Sequence, residues 1–250
     1  FNSDRAGSND LWVVSAAGGE PRQLTRGPDN VLGAKWSPDG KTIAFRSNRG
    51  GPGGDLWLVP AAGGEPTRLT EQMRPAGFAV EWSPDGKQLF FVGVRAGGGN
   101  ELYRMPVTGG RPVALGAKPG IGGFELSPDG SQVVYASFEG GWAFVDVMPA
   151  AGGTPRRLTK ETEGVFQAGA SWTLDGTTLV VQNLDLAGNR DATDLWTVRV
   201  SDGTWQQLTR SPLVSEFLAK ITPDGQLVVG SHTIRNSIRR VRVADLLTAR

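Results

Sequence analysis

The sequence predicts an all-β fold, a β-propeller of four-stranded antiparallel blades, and two observations lead to this prediction. The first is a short turn motif that recurs five times at intervals of 44 to 49 residues. Its copies are WSPDG at 36–40 and 82–86, LSPDG at 126–130, WTLDG at 172–176 and ITPDG at 221–225. The second is a composition rich in turn formers, with 36 glycines and 16 prolines in 250 residues. Repeats of this length, made of short apolar runs and turns, are typical of propeller blades.

Each repeat divides into four strands, a to d, and the second repeat shows them best. We predict strand a at Leu32–Trp36, b at Thr42–Ser47, c at Asp55–Val59 and d at Thr67–Thr70. The a–b turn, 37–40, places proline where its fixed φ suits a type I turn and glycine where a positive φ is needed. The c–d turns are equally short, with the sequences AAGG, TGG or SDG. Both connections are therefore predicted to be tight hairpins.

The strands carry repeated residue types. Strand b is apolar without alternation, as expected of a sheet covered on both faces. Strand c begins with an acidic residue, leucine and an aromatic residue, and strand d ends in Leu-Thr. Tryptophans recur in strands a and c, where we expect them to pack in the core between adjacent blades; they are Trp36, Trp82 and Trp172, and Trp12, Trp57 and Trp196.

The first repeat is incomplete, because Phe1–Arg5 aligns with Phe45–Arg49 at the end of a strand b. We predict a single propeller domain of six blades, with no strand a in the first. The repeats lie at about 1–25, 31–70, 77–115, 121–159, 168–209 and 217–250. The alternative is a five-bladed ring closed by pairing of the terminal strands. We also expect a longer parent chain, with possible further domains.

The combination of (W/L)SPDG, an apolar run, FxSxR, DLW and RLT resembles the TolB-type propeller repeat, which is related to the WD-type repeat. The resemblance covers essentially the whole chain. It implies a six- or seven-bladed propeller of a kind found mostly in bacteria, often in envelope proteins. A periplasmic or other extracytoplasmic location is therefore expected, and a cytoplasmic one stays open. Similar repeats form domains attached to prolyl-oligopeptidase-like peptidases, amidohydrolases and some receptor kinases.

Composition argues against several functions. The net charge is +1, so we expect no nucleic-acid partner. The chain has no cysteine, one histidine (His232) and no GxSxG motif, so we expect no catalytic residues, no metal and no cofactor. No apolar run approaches the ~20 residues that span a bilayer, and we expect no membrane insertion. The single histidine also disfavours a metal-dependent or lyase propeller acting on polysaccharide.

The b–c and d–a connections vary in length and charge and open on the same face, where binding residues are expected. The residue that follows FxSx is basic in the early repeats and acidic in later ones, so these residues are predicted to form a rim that changes from basic to acidic. The residue before the strand-a aromatic residue adds further charges. The candidates are Arg5, Arg49, Arg95, Glu139 and Asp185, then Lys35, Glu81 and Glu125. The alternative is that these charged residues form an ordinary solvated surface without a binding role.

Two tryptophans depart from the pattern. Trp142 is aligned with the acidic residue of strand c, and Trp205 with the proline of the GGEP turn. Each is either an exposed aromatic anchor or a local change in packing.

The sequence favours a non-catalytic platform that binds a protein or peptide on the b–c and d–a loop face. The alternative is an accessory, substrate-gating propeller domain of a larger hydrolase, or the sensor domain of a receptor kinase.

Overall fold

The computed structural model describes residues 1–51, 53–71, 75–94, 98–117, 120–140, 142–159, 170–184, 193–208, 220–222, 224, 226–231 and 237–242. These residues form six antiparallel sheets, four with four strands and two with three. Besides strands and turns they contain one short 3-10 helix, Asn48–Gly50. The chain contacts divide into two compact units, Phe1–Leu115 and Gly116–Arg250, with three sheets in each.

The first unit contains strands β1 to β11. The first sheet is β1 (Asn2–Ser3), β2 (Asp10–Val13) and β3 (Arg22–Gln23). The second is β4 (Val31–Trp36), β5 (Thr42–Ser47), β6 (Asp55–Pro60) and β7 (Thr67–Arg68). The third is β8 (Pro75–Trp82), β9 (Gln88–Val94), β10 (Asn100–Pro106) and β11 (Val113–Ala114).

The second unit contains β12 to β22. The fourth sheet is β12 (Ile121–Leu126), β13 (Gln132–Glu139), β14 (Trp142–Pro149) and β15 (Arg156–Arg157). The fifth is β16 (Ala170–Trp172), β17 (Thr178–Leu184), β18 (Thr193–Arg199) and β19 (Trp205–Gln207). The sixth is β20 (Lys220–Ile221), β21 (Gln226–Ser231) and β22 (Ser237–Arg242).

Every sheet has its strands in sequential order, which is the a-b-c-d meander of a propeller blade. The predicted fold class is therefore confirmed. The second repeat matches its predicted strands closely, although β7 ends at Arg68, two residues before the predicted end of strand d. The blade count and the single-domain boundaries stay predictions.

The a–b hairpins are closed by one set of hydrogen bonds. In the first copy, the Ser37 hydroxyl donates to Asp39 Oδ1 at 2.6 Å and accepts from the Thr42 main-chain N–H at 2.9 Å. The Lys41 N–H donates to the same Asp39 oxygen at 3.0 Å. Gly40 completes the turn at φ 69°. The copies at Ser83, Ser127 and Thr173 repeat these contacts. Asp39 and its counterparts thus have a structural role in these turns.

Strands c and d are joined by a buried side-chain network. The Thr70 hydroxyl accepts from the Leu56 main-chain N–H at 2.9 Å and donates to Asp55 Oδ1 at 3.0 Å. In the first sheet, Thr25 makes the same bonds to Leu11 and Asp10. Asp10 and Asp55 are each only 2% exposed. Buried carboxylates need such partners, which accounts for the acidic residue in strand c and the threonine that ends strand d.

Apolar residues of the blades form the core. In the first unit, one cluster includes Leu11, Ile43 and Phe45, and another includes Leu89 and Phe91. A third cluster lies in the second unit, around residues 134–147, 172–181 and 198–200. Strand b contributes consecutive buried residues to these clusters, which confirms that it is covered on both faces.

The prediction that all strand-a tryptophans are buried is wrong for Trp36, which is 50% exposed. Trp82 donates its indole N–H to the main-chain oxygen of Lys35, and Trp172 donates to that of Glu125, so each indole rests on strand a of the preceding blade. Among the described residues, the sheet before Trp36 consists of β1, β2 and β3, so no described strand covers Trp36 in the way that the preceding strand a covers Trp82 and Trp172.

Of the two interpretations of Trp205, an exposed anchor or a local change in packing, the structure supports the change in packing. Its indole N–H donates to the Leu158 main-chain oxygen at 3.2 Å, and its ring lies 6.1 Å from that of Trp196. Trp205 is half-buried and contributes to the cluster of the second unit.

We expect Gly40→Val to lower the free energy of unfolding by about 1–2 kcal/mol, because a side chain disfavours positive φ. A Cβ at Gly40 would meet nothing within 4 Å, so backbone strain alone is tested. Urea unfolding measures the change, with Lys41→Val as the control at the next, exposed position. Equal stability of both variants would contradict the turn assignment.

The turn also predicts a pH dependence. Hydrogen bonds from Ser127 and from the N–H and hydroxyl of Ser131 lower the pKa of Asp129 from 3.8 to about 2. A lowered pKa in the folded state contributes stability that is complete above the unfolded-state value and is lost as pH falls through the folded-state value. The difference in unfolding free energy between the parent and Asp129→Asn should therefore shrink from about pH 4 to about pH 2. Glu65→Gln, at an exposed c–d turn, is the control, and a pH-independent difference would refute the prediction.

Candidate functional site

The loop face of the first blade contains an open cleft of about 400 Å³. The b–c loop, 6–8, forms one side, and the d–a loop, 26–28, forms the other. Asp10 lies at its base, where Ser8 and Gln23 donate to Oδ2 at 2.6 and 3.0 Å. Because Thr25 donates to the other oxygen, the Asp10 carboxylate is fully engaged in the fold. The cleft thus has a fixed polar base and loop walls.

Arg5 is exposed and lies against aromatic rings just before this b–c loop. Its guanidinium carbon is 5.1 Å from the centre of the Trp12 ring and 5.3 Å from that of Phe1, within the range of cation–π interactions. Its Nε donates to the Ser3 hydroxyl at 3.1 Å. The cation is therefore oriented by its own blade.

Arg49 joins a b–c loop to the preceding d–a loop. It donates to Asp29 Oδ2 at 3.3 Å and to the Arg26 main-chain oxygen at 2.5 Å. Its guanidinium carbon also lies 5.8 Å from the centre of the Trp57 ring. Asp29 compensates its charge, so Arg49 holds two loops together and does not add an isolated cation to the rim.

The candidates on strand a form two separate local pairs. Lys35 Nζ lies 2.5 Å from Glu81 Oε1 in the first unit. In the second unit, the Ser171 hydroxyl donates to Glu125 Oε2 at 3.4 Å. The structure thus places the strand-a charges in contact with the equivalent position of the adjacent blade.

Glu139 belongs to a cluster that departs from the other blades. Arg157 donates to Glu139 at 2.5 Å, and its Nε lies 3.5 Å from Asp146 Oδ1. Asp146 is fully buried and also accepts a hydrogen bond from Ser137. The Arg157 guanidinium lies over the Phe144 ring, 3.6 Å from its centre. Arg157 thus connects a buried carboxylate to a surface one.

The alignment of Trp142 with the acidic residue of strand c is wrong. Phe144 pairs with Ser137 as Asp55 pairs with Ser47, and Val145 donates to Thr159 as Leu56 donates to Thr70. Phe144 therefore occupies the acidic position. The alignment shifted because β13 and β14 extend two residues further than in the second blade, to the pair Glu139 and Trp142. Trp142 begins β14, and its side chain lies outside the description.

Three residues named in the sequence analysis, Arg95, Asp185 and His232, lie outside the described residues. Within the described part of the chain, no group of three His, Asp or Glu side chains is placed to hold a metal ion. Nor does that part contain a helix long and apolar enough to cross a bilayer.

A second cleft, of about 460 Å³, lies at the a–b turns of the second and third blades. Pro38 and Asp39 belong to one turn, and Pro84 and Asp85 to the next, with Trp82 among the lining residues. Sequence reasoning assigned this edge to turn geometry and missed the cleft. The signal was present in the two consecutive WSPDG copies, since adjacent blades bring identical turns side by side.

Comparison with known proteins supports the fold. Residues 6–123 match the family model described as the Tricorn protease N-terminal beta propeller domain. No curated protein sequence matches the chain. Among solved structures, the putative TolB from Agrobacterium tumefaciens is 21% identical, with 90% of this chain and 81% of that chain covered and a TM-score of 0.72.

Two enzymes are structurally similar as well. An oligogalacturonate lyase in complex with manganese is 17% identical, with 97% of this chain and 72% of that chain covered and a TM-score of 0.78. Puromycin hydrolase is 17% identical, with a TM-score of 0.72, and the match covers 96% of this chain but 41% of the hydrolase.

Likeness at these identities shows the fold alone. Together with the family-model match it supports the predicted TolB-like β-propeller, whereas the relation to the WD-type repeat stays a prediction. Since the similar structures include enzymes, the fold does not decide the activity.

We expect Arg157→Met to destabilise the protein by about 3–5 kcal/mol, because it leaves the buried Asp146 carboxylate without its cation. Urea unfolding of the parent and the variant measures the loss. Adding Asp146→Asn should recover part of it, since the buried charge is then removed. A double variant no more stable than Arg157→Met would show that the loss comes from packing.

Proposed function

We propose that this chain is a non-catalytic binding platform that holds a protein or peptide on the face formed by its b–c and d–a loops. The observation that carries the proposal is the cleft between 6–8 and 26–28, because both kinds of loop contribute to it. The a–b turns at the other edge of each blade are uniform and bound internally. Variable loops on a rigid scaffold are where binding residues concentrate.

The cation in the lining of this cleft can pair with an acidic group of a ligand. Arg26 is exposed and supplies a cationic side chain to the cleft lining. Arg5 precedes the b–c loop that forms one wall of the cleft. Ala6 and Gly7 are small, so the ligand main chain can approach the loop closely. An Asp or Glu side chain of a peptide would meet Arg26, while the mixed charges around it orient the partner.

The proposal contains no catalytic step. The Asp10 carboxylate in the cleft accepts three side-chain hydrogen bonds, so we assign it a structural role.

The resemblance to TolB-type repeats also leads us to propose an extracytoplasmic location in a bacterium.

A second candidate function is that of an accessory domain in a larger hydrolase. The match to puromycin hydrolase covers nearly all of this chain but less than half of the enzyme, so a propeller of this size forms one part of that protein. In such a protein the loop face would guide substrate to a catalytic domain, and its partner would be covalently attached.

Peptide selection tests the platform. Peptides selected from a random phage-displayed library on the 250-residue chain should be enriched in Asp and Glu, and calorimetry then gives their affinities. We expect Arg26→Glu to weaken binding about tenfold or more, because like charges would then meet at the cleft. Lys41→Glu, at an exposed a–b turn, should leave the affinity unchanged.

The thermal unfolding of both variants is measured in parallel, so that loss of fold is not read as loss of binding. If no peptide is enriched over a blank surface, the platform function is contradicted. If enriched peptides bind Arg26→Glu as well as the parent, the loop face is contradicted as the binding site.

A further inference from the structure

The cleft at the a–b turns has the size and chemistry of a pocket for a single side chain. Its volume is about 460 Å³, within the usual range of ligand sites. Leu58, Trp82 and Val107 provide its apolar surface, and all three pack against the core cluster that includes Leu89 and Phe91. The pocket therefore rests on a rigid base.

Trp82 is held in place but is not fully covered. Its indole N–H donates to the Lys35 main-chain oxygen at 3.1 Å, while the side chain stays partly exposed. The equivalent Trp172 makes the same bond to Glu125, yet it is only 3% exposed. An accessible indole face is thus a feature of the Trp82 position that the Trp172 position lacks.

The two turns lie side by side at the cleft. A Cβ added to Gly86 would lie 3.7 Å from Cδ of Pro38, so the turns approach each other to about van der Waals distance at this point. Pro38 and Pro84 are both exposed and present apolar ring faces to the cleft. Aliphatic methylene groups pack well against proline and indole rings.

Two carboxylates border the same cleft, those of Asp39 and Asp85. In each, Oδ1 accepts a 2.6 Å hydrogen bond from the serine hydroxyl and a 3.0 Å bond from a lysine main-chain N–H. These bonds lower the pKa of both groups, so both are ionised at neutral pH.

The nearby cations are weakly engaged with these carboxylates. Lys87 Nζ is 3.9 Å from Asp85 Oδ2, with both side chains more than half exposed, and neither Lys41 nor Lys87 lines the cleft. Such an exposed pair contributes little and yields easily to a better-placed cation.

From this arrangement we propose that the cleft binds one arginine or lysine side chain of an extended peptide. The aliphatic stem lies along the prolines and the Trp82 indole, and the cationic head lies between Asp39 and Asp85. Charge complementarity selects a basic side chain, and the Trp82 ring adds a cation–π contact. The site lies at the opposite edge of the blade from the loops of the proposed platform and does not rest on that proposal.

A titration followed by NMR tests this site. The probe is an N-acetylated, C-amidated Gly-Gly-Arg-Gly-Gly peptide, and its citrulline analogue, which has nearly the same shape without the charge, is the ligand control. The indole N–H resonance of Trp82, assigned with Trp82→Phe, should shift and saturate with the arginine peptide. It should shift far less with the citrulline peptide.

Matched variants of the protein separate the site from general electrostatics. The pair Asp39→Asn and Asp85→Asn keeps an oxygen that can close each turn, and it should weaken binding about tenfold. The pair Asp129→Asn and Asp175→Asn removes the same charge from equivalent turns elsewhere and should change nothing. An unshifted Trp82 resonance, equal binding of the citrulline peptide, or equal weakening by both pairs would overturn the proposal.

Discussion

The structure depends on the hydrogen-bonded turn that closes each a–b hairpin. A serine or threonine hydroxyl donates to an aspartate two residues later and accepts from the first main-chain N–H of strand b. This arrangement fixes the register of strands a and b, since a slip by one residue would reverse both faces of strand a. The indoles of Trp82 and Trp172 can then reach the main-chain oxygens of the preceding strand a.

The same turn gives each blade two chemically different edges. At the a–b edge, sequence variation is limited because hydroxyl, carboxylate and glycine each have a bonding or conformational role. At the b–c edge, the loops differ, and two of their charges are locally compensated: Arg49 pairs with Asp29, and Glu139 with Arg157. Such a surface orients a partner more than it attracts one over long distances. Recognition there depends on the shape and charge of individual clefts.

Much of the fold could be predicted from the sequence, because turns and apolar runs are local signals. β5 and the hydrogen-bonded aspartates lie where the repeat places them. The exposure of Trp36 depends on a neighbouring strand and not on Trp36 itself, so the tryptophan pattern alone did not predict it, although the first repeat has no predicted strand a. The true position of Trp142 was missed because the length of the β13–β14 hairpin sets it. For the candidate site, the sequence identified Arg5 and Arg49 but not their contacts. The side-chain conformation that brings Arg5 over the Trp12 ring is set only in the fold, and Arg49 pairs with Asp29, which lies in a different loop.

Hydrogen exchange of the chain with and without a selected acidic peptide, read by mass spectrometry at short labelling times, tests the central claim most directly. A bound peptide on the proposed face should slow exchange in 4–9 and 26–30 and leave the a–b turn at 37–41 unchanged. This follows because the first two segments contain the loops that form the cleft. Slowed exchange confined to 37–41, or to segments away from both loops, would contradict the account.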